Sequence, residues 1–236
     1  MAVAAVQRTS ASSPSDTNPM TLTLNGVVTG NTLVVTFGYY STSAAVPTLL
    51  DSAGNTYTEV GTGSSSLFTA VHTFVAKNVT GGNITLTVTK AGSPATAVSV
   101  EFLELSGASK TAPVDNHSTN NANNSSANAG TVTVSGAGEY ILAIFADADF
   151  TSDTATAGTN YTIQTNIAFG GSKVPFVTED RQNVSANDTP GLTYSGTIHY
   201  CAMATSFTAA PVSSSSAGVT HGGTPILRSG ILSGIM

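Results

Sequence analysis

The chain has 236 residues, of which only 8% are charged, and seven basic against thirteen acidic residues give a net charge of −6. Its basic residues, Arg8, Lys77, Lys90, Lys110, Lys173, Arg181 and Arg228, are scattered, which argues against nucleic-acid binding, because phosphate neutralisation needs clustered cations. No apolar run approaches a membrane span, and the single Cys201 rules out an intrachain disulfide.

So few charges leave Ser, Thr, Asn and Gly to cover the surface, as on extracellular and virion proteins. The first residues, Met1 to Arg8, lack the basic and apolar regions of a signal peptide. An exterior-type composition without an export signal suits a phage structural protein, made in the host cytoplasm and released by lysis. A mature secreted or cell-surface protein would have a similar composition.

Along the chain, residues 3 to 8 read as a first short strand, and Ser10 to Asn18 as a Ser/Pro/Asp loop. Met20 to Asn25 alternates apolar and hydroxyl residues, the period of a half-buried strand. Thr32 to Tyr40 is a β-branched and aromatic run. Leu49 to Asn55 ends a strand in a tight turn whose Asp51 and Asn55 suit backbone hydrogen bonds. Leu67 to Ala76 and Asn83 to Lys90 are the next strands, and Gly81-Gly82 between them fits a hairpin. Ala95 to Leu105 follows, with Val98, Val100, Phe102 and Leu105 as candidates for a buried face. The alternation then fails, and Ser106 to Ala129, densest in Asn and Ser from Asn116 to Ser126, reads as a polar linker. Strands resume at Thr131 to Val134, Glu139 to Ala146, Tyr161 to Ile167, Lys173 to Arg181 and Ile198 to Thr208.

A series of signposts recurs. Gly30 and Gly138 open strands, Ala53-Gly54-Asn55-Thr56-Tyr57 is matched by Ala157-Gly158-Thr159-Asn160-Tyr161, and Lys77-Asn78-Val79 by Gln182-Asn183-Val184. The offsets are 108, 104 and 105 for Gly30, Tyr57 and Asn78 respectively. This predicts an all-β fold, an antiparallel two-sheet sandwich of jelly-roll type built by internal duplication, with pseudo-repeats at about 20–105 and 128–210. One domain over 1–212 is expected, its halves sharing a core, with two tandem domains as the alternative. After it, 213–236 reads as a flexible linker and an apolar C-terminal arm. Ile226, Leu227, Ile231, Leu232, Ile235 and Met236 are costly to leave in water. They either fold back on their own domain or dock on a neighbouring subunit.

The chemistry is thin, and the reading is of a protein that is not an enzyme. His72, His117, His199 and His221 show no zinc-binding spacing, His72 and His199 lying on predicted strands and His117 and His221 in loops. No Gly-x-Ser-x-Gly elbow marks a nucleophile. Cys201, in an apolar run, reads as a buried thiol. Asp147, Asp149 and Asp153 form the best metal candidate, since closely spaced carboxylates suit calcium, although the glycine and terminal Glu of an EF-hand are lacking. Glu179-Asp180-Arg181 reads as a strand-end charge cluster. Glu101 and Glu104, three apart on one strand, should face opposite ways and so fail as a glycosidase pair. Tyr39-Tyr40 is the one candidate platform for stacking a sugar.

Gly30-Asn31-Thr32-Leu33-Val34-Val35, Asp51 to Tyr57, Ala76 to Gly82, Glu104 to Gly107 and Glu179-Asp180 together span about residues 20 to 210. On these turn and strand signatures the chain resembles a family of β-sandwich modules found in bacterial surface proteins and phage structural proteins. The resemblance implies fold and setting only, its motifs carrying no catalytic role; no cofactor is expected beyond the calcium candidate. Such modules often carry Trp where this chain has Tyr200, and Trp is absent from it. The expected function is therefore a phage virion protein that decorates or cements a capsid, docking on itself and on other virion proteins through its N-terminal segment and C-terminal arm. A carbohydrate-binding or adhesin module is the alternative.

Overall fold

The computed structural model describes residues 1–13, 18–40, 46–64, 69–90, 97–149, 151–168 and 174–211. Within them the chain forms fourteen strands and no helix. The first half carries β1 (Ala4–Ser13), β2 (Met20–Val27), β3 (Thr32–Tyr40), β4 (Thr48–Asp51), β5 (Thr58–Ser64), β6 (Thr69–Ala76), β7 (Gly82–Thr89) and β8 (Ala97–Ser106). The second carries β9 (Val114–Asn128), β10 (Glu139–Asp147), β11 (Ala155–Thr156), β12 (Thr162–Ile167), β13 (Phe176–Val184) and β14 (Gly191–Phe207).

All pairings are antiparallel, in three sheets rather than two. The orders are β1-β8-β3-β6-β5 in the central sheet, β2-β7-β4 in a small outer sheet, and β11-β14-β10-β13-β12 in the third, with β9 pairing β14. Strand parity builds the layers. On β3, Leu33, Val35, Phe37 and Tyr39 face Leu22, Leu24, Ile84 and Leu86 of the small sheet. Val34, on the opposite face, meets Tyr140, Leu142 and Phe207 of the third sheet. The outer face of that sheet, with Phe145, Tyr200 and Ala202, is covered by Leu192, Tyr194, Ala127 and Val132, where β14 and β9 fold over it. Each half thus has a core of its own, and a further apolar layer joins them. Val98, Val100 and Phe102 share one face as expected, whereas Leu105 belongs to the joining layer.

The two large sheets have the same connectivity, strand for strand. β1-β8-β3-β6-β5 corresponds to β9-β14-β10-β13-β12, and the register agrees. Val34 lies opposite Val75 and Leu103, as Leu142 lies opposite Asp180 and Thr205. Arg8 is opposite Leu103, and His117 opposite Thr205. Even the irregularities recur: β1 is bulged at Val6 and β9 at Asp115, β5 at Val60 and β12 at Gln164.

Several expectations are corrected. The Asn-rich stretch read as a linker is β9, paired along its length with β14; an edge strand is ordered by its backbone ladder and needs no apolar alternation. The N-terminal segment is a sheet strand rather than a docking arm, with Val3 fully buried and its amide bonded to Gly138 O at 2.8 Å. Residues 10 to 13, read as loop, continue that strand. Gly81-Gly82 makes no hairpin, because β6 and β7 lie in different sheets. A Cβ on Gly81 would sit 2.2 Å from Val27 O, so only glycine fits this crossover. Thr131 to Val134 contributes one isolated bridge, Val132 to Asp188. The linker and apolar arm at 213–236 lie outside the described residues.

Candidate functional site: two sides of the sheet interface

Because the halves correspond, the interface between the large sheets has two comparable sides, and their contents differ. On one side β1 lies over β12 and β13, and a polar cluster is enclosed. Arg8 Nη2 donates to Asp180 at 2.6 Å and to the Tyr140 hydroxyl at 3.3 Å, while Nη1 reaches Glu101 at 3.4 Å. The Tyr140 hydroxyl donates to Asp180 at 2.6 Å, and Gln164 Nε2 donates to its other oxygen at 3.0 Å. Glu101 Oε2 accepts from Thr178 at 2.7 Å and also from Thr165. Glu101, Tyr140 and Asp180 are all buried. Burial raises the Glu101 carboxyl above its ordinary range against the opposing pull of Arg8, and burial with the Asp180 charge pushes the Tyr140 phenol well up. Every charge is matched or hydrogen-bonded by the protein itself, so the cluster clamps the halves together.

On the other side β5 and the start of β9 frame an open groove of about 640 Å³. Its apolar floor is Val60, Val75, Pro113 and Val114, and its rim includes Asn55, Glu59, Lys77 and His117. The register shows why it is open. Positions held by Arg8, Asp180 and Gln164 on the closed side are taken here by His117, Val75 and Val60. The paired charges are gone, and the chain leading into β9 is exposed at Thr111 and Ala112. The rim is held in place by the protein. Lys77 Nζ donates to Thr111 O at 2.7 Å, and the Glu59 carboxylate lies 2.6 Å from His72 Nδ1 and accepts from Thr62 at 2.5 Å. His72 is fully buried, stacked on Tyr39 with centroids 5.4 Å apart, and burial lowers its proton affinity. The His117 ring packs over Gly61, where a Cβ would lie 2.9 Å away.

The expected candidates fare differently. Asp147, Asp149 and Asp153 do not converge. Asp147 accepts from the amides of Asp149 and Thr151 and from the Thr151 hydroxyl, at 2.7 to 2.9 Å. Asp149 grips the His199 amide and ring, and Asp153 accepts from Ser195 at 2.7 Å. These carboxylates organise a turn, and among the described residues no group of three or more His, Cys, Asp or Glu could hold a metal ion. His117 lies on β9 rather than in a loop, and His221 falls outside the described residues. Glu179 and Asp180 lie buried within β13, not at a strand end. Glu179 accepts from the Gly158 amide at 3.0 Å, and burial pushes its carboxyl up to about 7. Glu101 and Glu104 do face opposite ways, Glu104 accepting from Gln7, the Val28 amide and Asn31. Tyr39 is fully buried and Tyr40 half-buried, so they form no sugar platform. Cys201 is buried, which pushes its thiol up and leaves it a packing group.

Sequence reasoning missed both Arg8 and the groove. Arg8 counted only as one scattered cation, and the match between β1 and β9 precedes the first signpost at Gly30, outside the recognised repeat. No protein-family model matches this sequence, and neither a curated protein nor a solved structure matches it.

Proposed function

We propose that this protein is a non-enzymatic structural component of a phage virion, a decoration or cement protein that docks on neighbouring subunits through its C-terminal segment. The observation that carries this reading is how its buried ionisable groups are used. Arg8, Glu101, Asp180 and Tyr140 are spent on one another between two sandwiches, so the interior favours rigidity over a reactive centre. The exposed faces of β2, β7 and β9 display Thr, Asn and Ser, a neutral skin suited to close packing among copies. The matched strand orders and bulges support a duplicated sandwich unit, and with it the resemblance to modules of phage and bacterial surface proteins.

The C-terminal segment supplies the adhesion. Each docked Ile or Leu contributes about 1.5 to 3 kcal/mol before ordering costs, and repetition over many copies turns such contacts into a lattice. The test is light scattering on the full-length chain and on a chain ending at Val212. An oligomer that becomes monomeric on truncation supports the reading; a monomer in both cases overturns it. The second reading, a glycan-binding module, is favoured only by the hydrogen-bonding rim of the groove, and a glycan array tests it.

A further inference from the structure

We propose that the groove between β5 and β9 is the receptor for the C-terminal apolar segment, Ile226 to Met236, of a second copy of this chain. The inference rests on the assembly reading above and names the surface that the segment would occupy.

Three observations lead to it. First, an extended peptide already packs at the interface between the halves. Ala2 packs on Gly107 and Gly138, and Val3, bonded through its amide to Gly138 O, is buried against the joining layer. The fold thus already accommodates an extended peptide with a branched apolar side chain at this kind of junction. On the open side the groove is lined by Val60, Val75, Pro113 and Val114, of which Val60 and Val114 are only partly buried. Second, the described chain ends next door. Pro211 lines a cavity of about 410 Å³ together with Lys110, and the groove begins at the following residue, Thr111. The 25 residues after Pro211 span up to about 80 Å when extended, enough to reach the same groove on an adjacent molecule. Third, the chemistry fits. The segment offers Ile-Leu pairs separated by small Ser and Gly residues, with Arg228 as its one cation. The groove offers an apolar floor and, on its rim, the fixed carboxylate of Glu59.

A segment of one copy in a groove of the next is met either reciprocally, closing a two-fold dimer by exchange of segments, or head to tail, propagating rings or filaments.

Two experiments on the full-length chain test this. Ala112→Trp fills the groove from an exposed position outside the cores. The expected result is at least a tenfold weaker self-association by light scattering, with an unchanged melting temperature. In the second, a photo-crosslinking residue replaces Ile231. The expected product joins two chains, with the crosslink mapping to residues 54–60 or 111–117. Self-association that is lost without residues 213–236 but survives Ala112→Trp, with crosslinks to another surface, sinks the groove while leaving the assembly reading intact. An intramolecular crosslink in a monomeric protein overturns the second-copy occupant, and monomers in every preparation overturn the assembly reading as well.

Discussion

Arg8 and His117 occupy the same position in two sheets of identical strand order, each opposite a matched residue of the neighbouring strand, Leu103 and Thr205. Arg8 is caged by two carboxylates and a phenol, while His117 borders a groove. With the exchanges of Asp180 for Val75 and Gln164 for Val60, that difference separates the closed side of the interface from the open one.

Replacing Arg8 by Leu should be the most damaging single change at the interface. It leaves Asp180 and Glu101 buried without their cation, and breaking such a pair from one side costs about 3 to 5 kcal/mol. Urea unfolding at pH 7 would show it. Adding Asp180→Asn and Glu101→Gln should restore part of the loss, because the remaining groups are then neutral. A loss below about 1 kcal/mol would mean that the cluster is not a clamp.

Glu179 makes stability depend on pH in an unusual direction. Its carboxyl titrates near 7 in the fold and near 4.3 in an unfolded chain, so the folded state holds the extra proton between those values. Its contribution is therefore full below about pH 4 and is lost as pH rises toward and through 7. The span corresponds to at most about 4 kcal/mol. In Glu179→Gln that loss should vanish, so the variant gains on the parent between pH 5 and pH 8 in paired melts. Parallel pH curves for the two proteins would refute the assignment.

The Asp147 turn should be insensitive to calcium. Both carboxylate oxygens are already taken by Asp149 and Thr151, so a cation would have to displace those donors. Melting with calcium and with chelator should coincide, whereas Asp147→Ala should cost about 1 to 3 kcal/mol through the orphaned amides. A calcium-dependent rise in melting temperature would revive the metal site.

How much of this was legible depended on whether a feature was local. β3 was readable because consecutive Val, Phe and Tyr residues serve two apolar layers at once. β9 was not, since its Asn and Ser side chains point largely to solvent and its order comes from the ladder to β14. The opposed Glu101 and Glu104 followed from strand parity alone. Their partners did not, because Arg8, Thr178 and Asn31 lie 70 or more residues away from the carboxylates they meet, and no spacing rule reaches that far. The groove was invisible for a related reason: a cavity records what two distant strands leave unfilled.

Met1 and Pro211 line the same small cavity beside Gly30 and Gly107. The described fold is therefore close to a closed loop, entered and left at one pole. A tag, a fluorophore or a displayed antigen joined to Met1, or directly after Pro211, would leave from that pole and keep the opposite end of the fold clear. The same closeness makes the fold a cassette: a short linker between Met1 and Pro211, with new ends opened in the exposed turn Ser185 to Asn187, should give a circular permutant with the sheets intact.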